Sequence, residues 1–399
     1  MQNLITFQNA LKDNYLPAWN NLLGIEPTAL LGQIKKVPLT SNNIVATAPT
    51  GLSGGFGFGE EGAATPASGN VQFLRFKTNA KDMYVNVCIS AKAVRLTGNG
   101  GAMANALDTE MKGAYATAKW NVGRALFGNG SGKLAGVKSI SGTTVTVDSV
   151  KNLKEGLIID IYDNTSTPAT LSNGTGRRII SINRSAKTIT LSTGSSIGAL
   201  TASADSNGVK GFITVQNSYN REITGLGAIF DDDITKIYDV TKSDYPYLKP
   251  VVKDADSDLT DTVITQALRE AKSDKNSEVD MLLCGDSAYD AYAEYLRVSN
   301  KRIEEISTGL KGGFKAIKFL FGNREVNIVN ESFVPESEIW GVDTKALELH
   351  TQEWNFAELQ GGGIFNLMEN QSVYRALLVN YGDLICRNPG GCIRIINCA

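Results

Sequence analysis

The chain has 399 residues, 42% hydrophobic and 20% charged, which is typical of a globular protein with two or three domains. A net charge of −2 argues against a dedicated nucleic-acid-binding protein, which would carry a basic stripe. The sequence lacks both an N-terminal signal pattern and an apolar run long enough to span a membrane, so we expect folding in the cytoplasm. Five cysteines, an odd number without a C-x-x-C pair, fit that compartment and are expected to be small buried hydrophobes.

The N-terminal part of the chain has little bulk with which to build a core. Residues 1–48 contain one modest amphipathic stretch, Phe7 to Leu23, and are predicted to form an arm. A glycine-dense segment from Thr47 to Gly69 follows, also without the side chains of a buried element. These two features predict an extended N-terminal region.

Two alternating strands are predicted next, Val71 to Lys77 and Met83 to Ser90, and they are expected to pair around a turn at Asn79. With the glycine-dense segment they would form a long projecting hairpin over residues 49–90. A lone domain gains little from such a projection, whereas a neighbouring subunit can use it as a clasp. The charges that we select as candidate intersubunit contacts are Glu60, Glu61, Arg75, Lys77 and Lys81.

A long amphipathic helix is predicted from Ala102 to Phe127. Gly128 and Gly130 are expected to end it with positive φ. Its apolar face consists of Met103, Leu107, Met111, Ala114, Ala118, Val122 and Ala125. The glycine-rich sequence that follows does not match a phosphate-binding loop, because Phe127 and Leu134 stand where glycine and Ser or Thr are required.

Residues 137–216 differ in composition from their surroundings and predict a small all-β module inserted in the chain. Its five predicted strands are Thr143 to Val147, Leu157 to Tyr162, Arg178 to Ile182, Lys187 to Leu191 and Gly211 to Val215. Beyond it, helices are predicted over Leu259 to Lys272 and Ser287 to Leu296, around a buried strand from Asp280 to Cys284. The tail carries further strands, so that the whole chain is of the α+β class.

No arrangement of residues indicates a cofactor, a metal or a catalytic site. The acidic run from Asp254 lacks the glycine and glutamate of a calcium loop. A hydrolase built on Ser287 or a cysteine is a third-ranked alternative, because the single histidine, His350, lies far downstream without a suitable partner. The aromatic residues Trp340, Trp354 and Phe356 are predicted to lie in the core.

The order of these features resembles the major capsid proteins of tailed bacteriophages, which have the Hong Kong 97-type fold. No single motif is diagnostic, and the resemblance covers nearly the whole chain except residues 137–216. The segments that carry it are Phe7 to Tyr15, Gly55 to Gly62 with Pro66, Asn121 to Gly132, Gly225 to Pro250, Asp280 to Leu296, Tyr381 to Leu384 and Pro389 to Gly391.

The resemblance implies five regions. They are an N-terminal arm (1–48), an extended-loop hairpin (49–90), a peripheral domain with a spine helix (91–136 and 345–399), an inserted β-barrel-like domain (137–216) and an axial domain (217–344). It also implies a structural, non-enzymatic role, in which hexamers and pentamers form an icosahedral virion shell around double-stranded DNA held non-specifically.

Implied partners are further copies of the chain, a portal, decoration proteins and, since the arm is too short for a fused scaffold, a separate scaffolding protein. Assembly would take place in the bacterial host cytoplasm, without a membrane. An encapsulin-like cellular nanocompartment is the second-ranked alternative, because those shell proteins are typically shorter and lack an inserted β-module.

Overall fold

The chain divides into two compact units. The main unit comprises Met1–Phe127 and Thr224–Ala399, and the barrel unit comprises Gly128–Ile223. The computed structural model describes residues 16–23, 27–49, 55–62, 67, 69–92, 100–256, 259–298, 305–306, 316–358, 363–369 and 371–398.

The described helices all lie in the main unit, and one of them is much longer than the rest. The described helices are α1 (Leu16–Leu23), α2 (Gly100–Phe127), α3 (Gly227–Phe230), α4 (Asp261–Lys275) and α5 (Asp286–Val298). None of these helices is both long and apolar enough to cross a membrane.

Strands account for most of the remaining described elements and occur in both units. In chain order they are β1 (Lys35–Pro38), β2 (Asn43–Pro49), β3 (Phe73–Asn79), β4 (Lys81–Ser90), β5 (Lys133–Ser141), β6 (Thr144–Val147), β7 (Ile158–Asp163), β8 (Ala169–Thr170), β9 (Arg177–Asn183), β10 (Thr188–Leu191), β11 (Gly211–Val215), β12 (Lys236–Ile237), β13 (Val240–Thr241), β14 (Val251–Asp254), β15 (Met281–Cys284), β16 (Glu305–Ile306), β17 (Ala316–Phe321), β18 (Arg324–Asn330), β19 (Ile339–Val342), β20 (Leu347–Thr351), β21 (Asn355–Phe356), β22 (Phe365–Leu367), β23 (Val373–Cys386) and β24 (Ile393–Ile396).

The first large sheet of the main unit is built on β23. This strand pairs with β4 along ten residues and with β20, β21 and β22 along its length, and β1 adds to β20 in parallel. Helix α2 packs on this sheet through Met111 and Ala118, which are buried with Trp19 of α1 and Val87 of β4. The predicted apolar face of the helix is therefore confirmed where it is described; the side chains of Met103 and Leu107 lie outside the described residues.

The second large sheet of the main unit has the order β14-β24-β19-β15-β18-β17-β16. Helix α4 packs against it through Ile264 and Leu268, which are four residues apart on one face of that helix. Helix α5 packs against it through Ala288, Tyr292 and Leu296, which are spaced in the same way. Trp340 on β19 is buried, as predicted, and so are Trp354 and Phe356 in the first sheet region.

The predicted pairing of Val71 to Lys77 with Met83 to Ser90 is wrong. Strand β3 pairs instead with β2, in antiparallel register from Asn43 opposite Asn79 to Pro49 opposite Phe73, and β4 pairs with β23. The reason is geometric: only Ala80 separates β3 from β4, and a tight hairpin needs at least two connecting residues. The hairpin in this region is therefore β2–β3, and its connection spans residues 50–72.

Helix α2 ends at Phe127, as predicted, and of the two glycines expected to have a positive φ there, the prediction for Gly130 is confirmed and that for Gly128 is wrong. Gly130 has φ 84° and Gly132 has φ 76°, whereas Gly128 does not have a positive φ. A Cβ on Gly132 would lie 2.6 Å from the carbonyl oxygen of Ser218, so that glycine is also required by close packing within the barrel unit.

The barrel unit is a closed antiparallel sheet. The order is β11-β5-β6-β10-β9-β7, and an additional β7–β11 pairing joins the ends, with β8 attached to β7. All five strands predicted here are present, and β5 and β8 were not predicted. The interior is filled by Val137, Val145, Ile159, Ile161, Ile179, Ile189 and Ile213, each at most 1% exposed. Branched side chains of this kind suit the pleated wall of a small barrel.

The two ends of the main unit that flank the barrel unit lie side by side. The backbone amide of Leu226 donates a hydrogen bond to the carbonyl oxygen of Leu126 at 2.8 Å. We therefore expect that replacing residues 130–221 with about four Gly and Ser residues leaves the main unit folded, since a short linker closes this gap at little entropic cost. Soluble yield, circular dichroism and urea unfolding would measure this; an insoluble or unfolded product would show that the main unit depends on the barrel unit.

Candidate interaction surface

The β2–β3 hairpin has two faces of opposite character. On its inner face Ala46 lies opposite Phe76, and both are buried. On its outer face Val45 lies opposite Lys77, and both are exposed. This alternation follows from the two-residue period of a strand, and it leaves the outer face free to contact another molecule.

A buried tyrosine anchors the hairpin to the main unit. The ring of Phe76 packs on Tyr238 with centroids 5.5 Å apart, and the amide of Lys77 donates to the Tyr238 carbonyl oxygen at 2.9 Å. The Tyr238 hydroxyl accepts a hydrogen bond from the amide of Cys386 at 3.0 Å. Burial raises the pKa of Tyr238 well above its usual value, so the phenol stays neutral. Tyr238 and Asp239 both have positive φ (50° and 64°), as a two-residue β12–β13 turn requires.

A buried carboxylate, Asp383 on β23, ties the end of the hairpin to a second segment of the main unit. Its Oδ2 accepts from the Thr78 hydroxyl at 2.5 Å, and its Oδ1 accepts from the Thr224 amide at 2.6 Å. Burial raises the pKa of this carboxyl, and the hydrogen bonds together with the charge of Lys81 oppose that rise. Because Thr78 of the hairpin and Thr224 of the second segment both donate to this one side chain, Asp383 links the base of the hairpin to that segment.

The five candidate contact residues fall in three places. Arg75 and Lys77 stand two residues apart on the exposed outer face of β3. Glu60 and Glu61 are exposed in the segment 55–62, and Lys81 begins β4, half-buried, near Asp383. Among the described residues, the structure brings Arg75 and Lys77 together and gives neither Glu60 nor Glu61 an ion-pair partner.

Two aromatic residues of the same segment were not selected from the sequence as contacts. Phe56 is 81% exposed and Phe58 is 95% exposed, and their rings meet edge to face with centroids 5.2 Å apart. An exposed aromatic pair on a glycine-rich segment is unusual for a surface that stays in water. The alternation of Phe with Gly over residues 55–59 was the signal for it, since neither ring has neighbouring bulk with which to build a core.

An ionic cluster on β1 and β20 was also not predicted. Glu348 is 4% exposed, and its two oxygens bind Lys35 Nζ at 3.0 Å and Arg387 Nη2 at 2.9 Å. His350 Nε2 lies 3.5 Å from the same carboxylate. Burial alone would raise the pKa of Glu348, but the hydrogen bonds from Lys35 and Arg387 outweigh it and hold that pKa below its usual value. Because Lys35 lies directly opposite Glu348 in the register, the cluster fixes β1 to the sheet.

The features considered for catalysis are not assembled into a site. Ser287 lies in the first turn of α5, and no hydrogen bond joins it to His350 among the described residues. Four cysteines are buried, and burial raises the pKa of the Cys398 thiol to about 12, which disfavours the nucleophilic thiolate. Cys88 is exposed, contrary to the prediction for the cysteines. The described part of the chain contains no group of three or more His, Cys, Asp or Glu residues that could hold a metal ion.

Comparison with solved structures identifies the fold. The chain is similar to the cyanophage A-1(L) capsid asymmetric unit, with a TM-score of 0.53 at 10% identity, covering 94% of this chain and 93% of that one. The capsid-type α+β fold predicted from the sequence is thereby confirmed. No protein-family model and no curated protein sequence matches the chain.

Two further solved structures are similar at lower scores. The holo-SrpI encapsulin complex from Synechococcus elongatus has a TM-score of 0.46 at 9% identity, covering 91% of this chain and 85% of that one. The capsid of an empty GTA particle has a TM-score of 0.47 at 8% identity, covering 94% and 91%.

The Glu348 cluster makes a prediction about pH. Replacing Glu348 with Gln should lower the free energy of unfolding by about 1–3 kcal/mol near pH 7, because two charge-assisted hydrogen bonds are weakened. The folded pKa of Glu348 lies below the unfolded value of 4.5. The stabilisation is therefore complete above pH 4.5 and is lost as the pH falls through the folded pKa, so the difference between parent and variant should disappear in acid.

Urea unfolding of the parent and variant over a pH series would measure this difference. Glu325→Gln is a matched control, because it breaks the Lys318–Glu325 ion pair on the surface of β17 and β18, where both partners are partly exposed. We expect that control to cost less than about 1 kcal/mol at any pH. A pH-independent loss at Glu348, or an equal loss at Glu325, would contradict the assignment.

Proposed function

We propose that this chain is the major capsid protein of a tailed bacteriophage, and that its copies assemble as hexamers and pentamers into an icosahedral shell around double-stranded DNA. The observation that supports the proposal is the similarity to the cyanophage capsid chain over nearly the full length of both chains. The role is structural and requires no catalysis, cofactor or metal.

We assign the regions of the chain as the resemblance implies. Residues 1–48 are the N-terminal arm and 49–90 the extended loop; 91–136 and 345–399 form the peripheral domain. Residues 217–344 are the axial domain, and 137–216 are the inserted domain. The structure offers a physical basis for the arm, since β1 is tied to the peripheral region by Lys35 and Glu348.

The extended loop is proposed to be the main contact between subunits. Its base is anchored through Tyr238 and Asp383, while its outer face and segment 55–62 are exposed. Ordering a glycine-rich segment costs conformational entropy of about 1–2 kcal/mol per residue, so contacts with another molecule must offset that cost. Arg75 and Lys77 on the outer face and Glu60 and Glu61 on the segment would provide charged contacts with a neighbouring copy.

Further partners belong to this proposal. They are a separate scaffolding protein, a portal, decoration proteins and the packaged DNA, which would be held without sequence preference. A net charge of −2 argues against a dedicated nucleic-acid-binding surface, so this contact would be loose. The mature protein would be found in the virion capsid after assembly in the bacterial host cytoplasm.

Expression of the full chain in a bacterial host tests the proposal directly. We expect closed particles of many copies, seen by negative-stain electron microscopy and by sedimentation, because large obligate interfaces bury the exposed outer face. Co-expression with a candidate scaffolding protein should raise their yield. A monomer that stays monodisperse at high concentration would contradict the proposal, and particles that enclose a protein cargo would favour a nanocompartment.

Shortening the extended loop is the second test. Replacing residues 52–68 with a two-residue turn should leave each subunit folded, since the anchored strands β2 and β3 are retained, but should prevent or weaken shell closure. Circular dichroism would verify the fold, and particle yield and thermal stability would measure closure. A companion variant keeps the full loop length but replaces Phe56, Phe58, Glu60 and Glu61 with Ser. It distinguishes the effect of loop length from the effect of these four side chains. Parent-like particles from both variants would show that the loop contributes no assembly energy.

A further inference from the structure

Charge is distributed unequally between the two units. Residues 128–223 contain ten Lys and Arg and six Asp and Glu, a net charge of +4, so that the rest of a chain with net charge −2 carries −6. Two of the six acids, Asp160 and Asp163, are buried in the barrel unit and accept backbone hydrogen bonds there. The exposed charge of the barrel unit is therefore predominantly positive and suits an acidic partner.

One face of the barrel unit carries exposed apolar side chains. Ile158 on β7 is 46% exposed and lies opposite Arg178 on β9, and Ile180, two residues further along β9, is 55% exposed. Ile180 is the extra residue of a β-bulge, since Ser181 pairs with Thr190 and Ile179 pairs with Leu191. A bulge redirects a side chain, and here it leaves Ile180 outside while Ile179 is in the core.

Basic residues outnumber acids beside these two isoleucines. The one acid there among the described residues is Glu155, whose Oε1 accepts a hydrogen bond from the Ile182 amide at 3.3 Å. The loop before β7 runs along β9, because the amide of Gly156 donates to the Ile179 carbonyl oxygen at 2.9 Å. Lys154 belongs to that loop. Its pKa is lowered by burial and by the positive charge of the nearby Arg184. We call Ile158, Ile180, Lys154, Arg178 and Arg184 the isoleucine face.

Segment 55–62 of the main unit has the complementary chemistry. It presents the aromatic pair Phe56 and Phe58, followed by the carboxylates Glu60 and Glu61, and all four side chains are exposed. Phe56 and Phe58 would contact Ile158 and Ile180. Glu60 and Glu61 would face three cations, Lys154, Arg178 and Arg184, which outnumber the one described acid beside them, Glu155. Arg in particular forms bidentate hydrogen bonds with carboxylates, which fixes orientation as well as adding attraction.

We propose that segment 55–62 of one copy docks on the isoleucine face of the barrel unit of another copy. The inference rests on the proposed function, in that the extended loop contacts a neighbouring subunit, and it adds the surface on which the loop ends. In each such contact between subunits, the barrel unit of one copy would bind the extended loop of the other.

Photo-crosslinking tests the docking directly in the full-length protein. The probe p-benzoyl-phenylalanine is placed at Phe58, in particles assembled from an equal mixture of nitrogen-15-labelled and unlabelled chains, and the crosslinked peptides are identified by mass spectrometry. The expected result is a crosslink to peptides within residues 151–187 that joins labelled with unlabelled chains. Crosslinks only within one chain, only to other regions, or none at all would overturn the docking proposal.

The failure of this inference is distinguishable from that of the proposed function. Particles that form with Phe58 crosslinked to another region of a neighbouring copy would leave the shell function supported and overturn the docking surface alone. The absence of particles, with only monomeric chains on sedimentation, would contradict the shell function itself and the docking with it.

A charge-exchange cycle provides a second measurement. Arg178→Glu with Arg184→Glu, and separately Glu60→Arg with Glu61→Arg, should each raise the protein concentration needed for assembly about tenfold, since like charges then face each other. Combining all four substitutions should restore assembly to within about threefold of the parent. Lys138→Glu is the matched control: it reverses a charge on β5, three strands away from β9 in either direction around the barrel, and should leave assembly unchanged. If the fourfold variant needs as high a protein concentration to assemble as either double variant, the proposal is overturned.

Discussion

Strand β23 imposes the constraint on which the main unit depends. Its fourteen residues leave backbone donors and acceptors on both edges, and buried groups of this kind must be paired. Strand β4 satisfies one edge along ten residues, while β20, β21 and β22 divide the other. Asp383 of the same strand then holds Thr78 and Thr224, and Cys386 binds the hydroxyl of Tyr238. The hairpin, the long helix and the ionic cluster all take their positions from this one strand.

Local periodicity explains what the sequence predicted well. The helix ending at Phe127, the five barrel strands and the buried aromatics follow from patterns of 3.6 or two residues that are set by near neighbours. Pairing partners are a different matter, because register depends on residues far apart in the chain. The sequence could not show that β3 belongs with β2, since the alternation of β3 suits either partner. The β17–β18 hairpin was missed although Gly322 and Asn323 offered a two-residue turn signal.

The candidate surface was predictable in part for the same reason. Glycine density identified the segment that carries Glu60 and Glu61, and alternation placed Arg75 and Lys77 on one face of a strand. The anchor could not be foreseen, because Tyr238, Asp383 and Thr78 are distant in sequence and none stands in a recognisable motif. Nor could the cluster around Glu348, whose partners Lys35 and Arg387 come from opposite ends of the chain. Buried charge is identified only when its partners are seen.

The closed sheet of the barrel unit has a consequence for solubility. An open sheet leaves two edge strands with unpaired backbone groups, which can pair with any similar edge on another molecule and lead to aggregation. In the barrel unit the β7–β11 pairing removes both edges, and only the two-residue β8 remains outside the closed ring. At high protein concentration, stray strand pairing of this kind competes with correct association. Closure therefore leaves side chains, rather than backbone, to decide what this unit binds.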